Sequence, residues 1–212
     1  MSNNFQLRAS GFILLLMPQN FIFIGRSGCG KGTQAELLIK HLKDTISEEV
    51  FYLESGKRFR DFFNEEGYTV ERAKEIYSHG GLQPEFLAVW VWSNALVKNL
   101  DGKMNLVIDG APRKLHEAHL MDSALKFYGR HDVNVIFVDI SREEAERRLL
   151  SRGREDDKDI EDIKRRLDWY DTDVVPVISF FRDSPDYRFH RIDGEKTIEE
   201  IHSDILHEVY GS

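Results

Sequence analysis

Cysteine is almost absent. Cys29 is the only one in 212 residues, so no disulfide can form within the chain. The fold must rest on its core, and the composition suits a reducing, cytoplasmic compartment. A basic excess is missing too. Lys and Arg number 29 against 37 Asp and Glu, a formal net charge of −8. That argues against a dedicated nucleic-acid binder. Any bound anion must be held by a local cluster of cations inside an acidic body. No apolar run approaches the ~20 residues of a membrane helix, so no membrane role is expected. The stretch from Gly11 to Met17 follows Arg8 like a short signal core, but Pro18-Gln19-Asn20 leads straight into another apolar run. A signal would need a small-residue cleavage site there. Residues 1–19 are therefore expected to be an extension, disordered or loosely packed, with Met17 as an alternative start. There is no internal repeat and no low-complexity tract. The eight histidines show no metal-ligand spacing.

What is present is the material for one α/β domain over residues 20–212. Apolar residues make up 41% of the chain, enough for a real core. Phe21 to Ile24 is a short continuous apolar run ending in glycine, as in a strand buried on both faces. Val50–Leu53, Leu106–Ile108 and Val133–Val138 read as further strands, and Tyr187–Ile192 is a weaker fifth, set between Ser184-Pro185-Asp186 and Asp193-Gly194. Ala35, Leu38, Ile39 and Leu42 recur at helical spacing. Ser141 with Glu144, and Thr197 with Glu200, read as capping boxes. Ile163, Leu167 and Tyr170 mark one face of a long helix running toward Phe181. Such alternation predicts a five-stranded parallel sheet with helices on both faces. Ser55 to Leu100 puts several helices between two strands, and Arg152 to Asp159 is a dense charged loop. Both are candidate substrate-covering inserts.

The chemistry concentrates in Gly25-Arg26-Ser27-Gly28-Cys29-Gly30-Lys31-Gly32-Thr33. Gly-x4-Gly-Lys between a strand and a helix is a phosphate loop. Its backbone N–H groups and the helix N-terminus converge on phosphate oxygens, and Lys31 adds a point charge. The usual Ser or Thr directly after the Lys is replaced by Gly32, with Thr33 one later. Gly-Lys-Gly-Thr-Gln in this form resembles the adenylate kinase family, and the resemblance extends over nearly the whole chain from Asn20. Ser55-Gly56-x-x-Phe59-Arg60 resembles the family's monophosphate motif. Gly81-Leu82-Gln83-Pro84 resembles the stretch that closes over that nucleotide. Asp109-Gly110-Ala111-Pro112-Arg113 is similar to the family's Asp-Gly-Phe-Pro-Arg, with Ala for Phe. Arg152-Gly153-Arg154-Glu155-Asp156-Asp157, with Arg166-Leu167 beyond, resembles the lid and the helix after it.

The resemblance implies the P-loop nucleoside monophosphate kinase fold with strand order 2-3-1-4-5. It implies a monophosphate-binding insert over about 55–85, a short lid over about 152–159, and a cis peptide at Pro112. The implied activity is Mg2+-dependent reversible phosphoryl transfer from ATP to AMP, by a monomeric enzyme. GMP, UMP or CMP as acceptor is the alternative, and a weakly catalytic nucleotide switch the rival from another class. The donor side is implied to use Gly28, Cys29, Gly30, Lys31, Gly32, Thr33, Arg148 and Arg152. The acceptor side is implied to use Ser55, Gly56, Arg60, Gln83, Gly110, Arg113, Glu117, Arg154 and Arg166. Lys31, Asp109, Arg113, Arg154 and Arg166 would carry the transfer, since guanidinium forks grip phosphate and stay charged. Arg165 competes with Arg166 for its place, because the preceding loop is one residue longer than the family's spacing. Arg148 reads equally as a surface charge. Asp109 would order waters around Mg2+, with no direct protein ligand. There is no cysteine set for a structural zinc. Lys57 stands where the family has Asp. Glu117 stands where it has a Gln that reads adenine; an ionised Glu only accepts hydrogen bonds, and its alternative is to turn to solvent. Trp90, Trp92 and Trp169 are expected to be packing residues.

Overall fold

The computed structural model describes residues 18–45, 49–153 and 159–211. Most of the expected N-terminal extension, Arg154 and most of the charged lid loop lie outside them. Among the described residues the chain runs β1 (Asn20–Ile24), α1 (Lys31–Thr45), β2 (Val50–Glu54), α2 (Ser55–Phe62), α3 (Tyr68–Ser78), α4 (Glu85–Asn99) and β3 (Asn105–Asp109). It continues through α5 (Leu115–Phe127), β4 (Val133–Asp139), α6 (Arg142–Arg152), α7 (Ile160–Trp169), a π-helical turn (Tyr170–Val174), α8 (Val175–Asp183), β5 (Tyr187–Asp193) and α9 (Ile198–Tyr210). The strands form one parallel sheet in the order β2-β3-β1-β4-β5, as expected.

Alternation along the strands divides the core in two. Ile22 and Ile24 of β1, with Leu106 and Ile108 of β3, face α4, α5 and α8. Phe21, Phe23 and Val107 face the other way, onto α1, α6, α7 and α9. Both faces of β1 and β3 are buried, so these strands read as apolar runs, whereas the edge strand β5 carries the exposed Arg188 and Arg191. A third, smaller cluster of Phe62, Val70, Ala73 and Leu87 belongs to α2, α3 and the start of α4. The helices inserted between β2 and β3 thus have apolar packing of their own beside the main sheet.

Two local expectations are corrected. The long helix toward Phe181 is broken: α7 stops at Trp169 and α8 starts at Val175, with the π turn between. Pro176 has no N–H to offer the carbonyl of Thr172, so a regular α ladder cannot run through this point. At α6, Ser141 Oγ accepts from the Glu144 N–H, but the reciprocal half of the box is missing. Glu144 turns to Arg147 and Arg148 instead, and the Ser141 N–H donates to Glu195 Oε1. The Thr197–Glu200 box is complete.

Leu38 is sealed between α1 and the sheet, whereas the Phe127 ring is 83% exposed. Leu38→Ala is expected to lower the unfolding free energy by about 2–5 kcal/mol through lost burial and the cavity left behind. Phe127→Ala should change it by less than about 1 kcal/mol. Urea titrations of the two variants check the contrast.

Candidate functional site

The C-terminal ends of β1, β2 and β3 open into one cavity. Its floor carries Gly28 and Lys31 from the phosphate loop and Asp109 from the end of β3. Its walls come from α2, the α3–α4 connection, α5 and α7. This is where a parallel sheet with crossover helices leaves a crevice.

The loop between β1 and α1 is shaped by glycine. A Cβ on Gly25 would lie 2.5 Å from the Val138 carbonyl oxygen, so only glycine lets the chain pass β4 this closely. Gly28 and Gly30 take positive φ values of 86° and 90°, the left-handed region that glycine enters without cost. Cys29 is buried under the loop, and burial pushes its thiol pKa up. Lys31 Nζ donates to the Arg26 carbonyl oxygen at 3.2 Å. Gly32 has a direct neighbour: a Cβ there would lie 3.3 Å from Asp109 Oδ2. The missing side chain after the lysine therefore leaves room for this carboxylate.

Asp109 is 7% exposed. Its Oδ2 accepts from the Tyr52 hydroxyl at 3.4 Å, and its buried Oδ1 has no partner. Burial raises the pKa of the carboxyl, while Lys31 and Arg113 oppose that shift. Arg113 follows the cis Ala111–Pro112 peptide. Its Nε donates to the Gly110 carbonyl oxygen at 2.7 Å, and its guanidinium lies 5.6 Å over the Trp169 ring. Ser55 Oγ donates to that same carbonyl oxygen at 2.7 Å, which ties the start of α2 to the end of β3.

Glu117 is 3% exposed and lines the cavity one helical turn beyond Arg113. Its Oε2 accepts from the Arg113 backbone N–H at 3.2 Å. The orientation toward solvent is excluded. Burial raises its pKa, opposed chiefly by that N–H and the Arg113 charge. The two readings of the α7 arginines also separate. Arg166 is 8% exposed and lines the cavity, while Arg165 is exposed and pairs with Asp162 at 3.0 Å.

The phosphate-loop signature, the Asp-Gly-x-Pro-Arg turn and the cavity arginines thus meet in one place. A family model described as adenylate kinase matches residues 23–185. The chain belongs to the adenylate kinase family. Among similar proteins is adenylate kinase 1 of a Nostoc species, 32% identical over 180 residues, covering 85% of this chain and 92% of that protein. An adenylate kinase of Prochlorococcus marinus is 31% identical over 189 residues, 89% of this chain and 97% of its own length. UMP-CMP kinase 1 of Oryza sativa subsp. japonica is 29% identical over 187 residues, 86% of this chain and 70% of that one.

Of the residues the family pattern singles out, Gly28, Lys31, Ser55, Gly56, Arg60, Gln83, Asp109, Gly110, Arg113, Glu117, Arg152 and Arg166 line the cavity. Cys29, Gly30, Gly32 and Thr33 belong to the loop and first turn of α1 but do not line it, and Thr33 is exposed. The Cys29 N–H donates to the Arg26 carbonyl oxygen at 3.2 Å. Arg148 is held elsewhere, donating to Glu144 Oε1 at 2.6 Å and to the Gly194 carbonyl oxygen at 2.9 Å. Lys57 is exposed and outside the lining. Among the described residues no three His, Cys, Asp or Glu side chains converge on a metal site. No described helix is long and apolar enough to cross a membrane.

Sequence reasoning missed Tyr52, Glu54 and Tyr77, and it assigned Trp92 and Trp169 to packing alone. Glu54, Tyr77, Trp92 and Trp169 line the cavity, and Tyr52 reaches Asp109. Trp169 also donates from Nε1 to the Gly80 carbonyl oxygen at 3.3 Å, joining the end of α7 to the insert. Only Glu54 had a local signal, as the strand residue next to Ser55-Gly56.

Burial makes the ionised form of Asp109 costly, so its contribution to stability falls as pH rises from the ordinary aspartate value of 3.8 toward its raised folded value. Asp109→Asn cannot ionise. Its stability relative to wild type should be flat below pH 4 and improve as pH rises above it. Thermal unfolding of both proteins between pH 3 and pH 8 tests this.

Proposed function

We propose that this chain catalyses the reversible transfer of the γ-phosphoryl group of ATP to AMP, giving two ADP. The observation that carries the reading is the joining of phosphate loop, Asp109 and the arginines Arg60, Arg113, Arg152 and Arg166 in a single cavity. Its support from relatives is the naming of similar proteins as adenylate kinases. A phosphoryl group in transit demands positioning and charge neutralisation rather than covalent help. In our reading, an oxygen of the acceptor phosphate bonds to the γ-phosphorus as the bond to the β–γ bridging oxygen breaks. Lys31 and the loop N–H groups hold the donor phosphates, with Arg152 beside them. Arg60 and Arg113 grip the acceptor phosphate. Arg166 faces the group in transit, and Arg154 is assigned there from the family pattern. Arg148, bonded to the Gly194 carbonyl, is assigned to the donor side away from the reacting atoms.

Mg2+ fits the site by the chemistry of Asp109. A buried carboxylate oxygen with no partner is an acceptor of the kind that metal-bound waters satisfy. When bound, the ion neutralises phosphate charge. We assign the insert over about 55–85 and the lid over about 152–159 to the covering of the acceptor and donor. We assign the enzyme to the cytoplasm as a monomer without zinc, with residues 1–19 an extension to the domain.

The acceptor base is assigned to the end of the cavity lined by Leu82, Gln83, Ala88, Trp92 and Glu117, where apolar walls meet a buried carboxyl. Steady-state rates with ATP and each of AMP, GMP, UMP and CMP test the reading, with AMP expected to be fastest. Lys31→Met should cut turnover at least about 100-fold with folding retained, because the residue's contribution is charge. A Lys31→Met enzyme of normal turnover would overturn the assignment. Glu117→Gln supplies both a donor and an acceptor for adenine. It should lower the Michaelis constant for AMP several-fold, worth about 1 kcal/mol, and reduce any use of GMP. Constants for both nucleotides that match wild type would remove Glu117 from base recognition.

A further inference from the structure

Glu54 is the last residue of β2, and Arg60 lies in the last turn of α2. Six residues apart, they are outside the usual three- or four-residue spacing of helical ion pairs. They meet because helical side chains lean toward the N-terminus, which returns the Arg60 guanidinium to the start of its own helix. There Nη2 donates to Glu54 Oε1 at 2.7 Å, and a Cβ on Gly56 would lie 3.2 Å from Nη1. A side chain at position 56 would crowd the folded-back guanidinium. Glu54 and Arg60 both line the cavity, and the Glu54 carboxylate is close enough to Asp109 to raise its pKa. The pair is half-exposed on the arginine side and partly buried on the acid side, 49% and 28%.

A carboxylate and a phosphate monoester offer a guanidinium the same thing: anionic oxygens for charge-assisted N–H bonds. Arg60 serves one anion at a time with the fork edge that now holds Glu54. We propose that Glu54 is a positioning residue that occupies Arg60 in place of the acceptor phosphate, so that the monophosphate must displace it to bind. The proposal rests on the assignment of Arg60 to the acceptor phosphate. The contact keeps Arg60 at the mouth of the cavity and lowers the affinity for a phosphate monoester, while affinity for the nucleoside portion is untouched. A solvent-accessible ion pair of this type is weak, so the expected effect is a few-fold shift in affinity rather than a block.

Calorimetric titration of AMP and of adenosine into wild type, Glu54→Gln, Glu54→Ser, Arg60→Ala and the Glu54→Gln/Arg60→Ala double variant tests this. The expected result is AMP binding about two- to fivefold tighter in both Glu54 variants. Adenosine, which lacks the phosphate, should bind all five proteins alike, and the gain in AMP affinity should vanish when Arg60 is absent. AMP binding that is unchanged or weaker in the Glu54 variants would overturn the proposal. A gain that persists without Arg60 would also overturn it, since Glu54 would then act by direct repulsion. A parallel shift for adenosine would make the role of Glu54 structural. Failure of wild type to bind AMP at all would defeat the acceptor assignment itself, an outcome separate from these.

Discussion

A carboxylate nearly sealed from water at the end of β3 faces two cations, and the layout of the cavity follows from the need to hold them together. Asp109 is destabilised by burial and relieved by Lys31 and Arg113, which come from different elements. Interactions between such groups are stronger where water is excluded, and so is the cost of leaving one of them unmatched. Arg113 is itself disfavoured by burial and supported by Glu117 and Asp109. The four groups form a chain of alternating charge from the phosphate loop to α5. None of them would be cheap to bury alone. The sheet brings them together because β1 and β3 are adjacent and parallel, with Phe23 paired to Asp109.

The core carries the stability that this arrangement consumes. Two apolar clusters, one on each face of the sheet, pack the strands between the helices. Around them the walls of the cavity are joined by polar contacts that include Ser55 to Gly110, Trp169 to Gly80 and Gln83 to the Ala73 carbonyl at 2.8 Å. The π turn belongs to this outer layer. It sets Tyr170 under the Arg26 guanidinium at 4.2 Å and presents Asp171 to Arg26 at 2.7 Å and to Arg142 at 3.0 Å. The phosphate loop is therefore braced by the segment where a proline interrupts the helix.

Much of this was legible in the amino-acid sequence because it depends on local chemistry. Short apolar runs marked β1 to β4, while the edge strand β5 mixes Arg188, His190 and Arg191 with Tyr187, Phe189 and Ile192 and carried a weaker signal. Glycine and lysine at fixed spacing marked the phosphate loop, since only glycine allows that backbone. The Asp109–Arg113 turn and the Ser55–Arg60 motif identified residues that indeed line the cavity. Those features are determined by residues close to one another in the chain.

Contacts between distant residues decided the rest. The choice of Arg166 over Arg165 needed the register of α7 against the sheet, a rotation that one loop residue can change. The burial of Glu117 depends on α4 lying beside α5, where Glu85 comes within 3.8 Å of His116. Trp92 and Trp169 are apolar residues on helices, and nothing in their local pattern separates a cavity wall from a core. The sequence by itself determined which chemical groups are available and the elements that carry them. The tertiary structure decided which of those groups meet, because burial and register arise only when elements far apart in the chain are packed together.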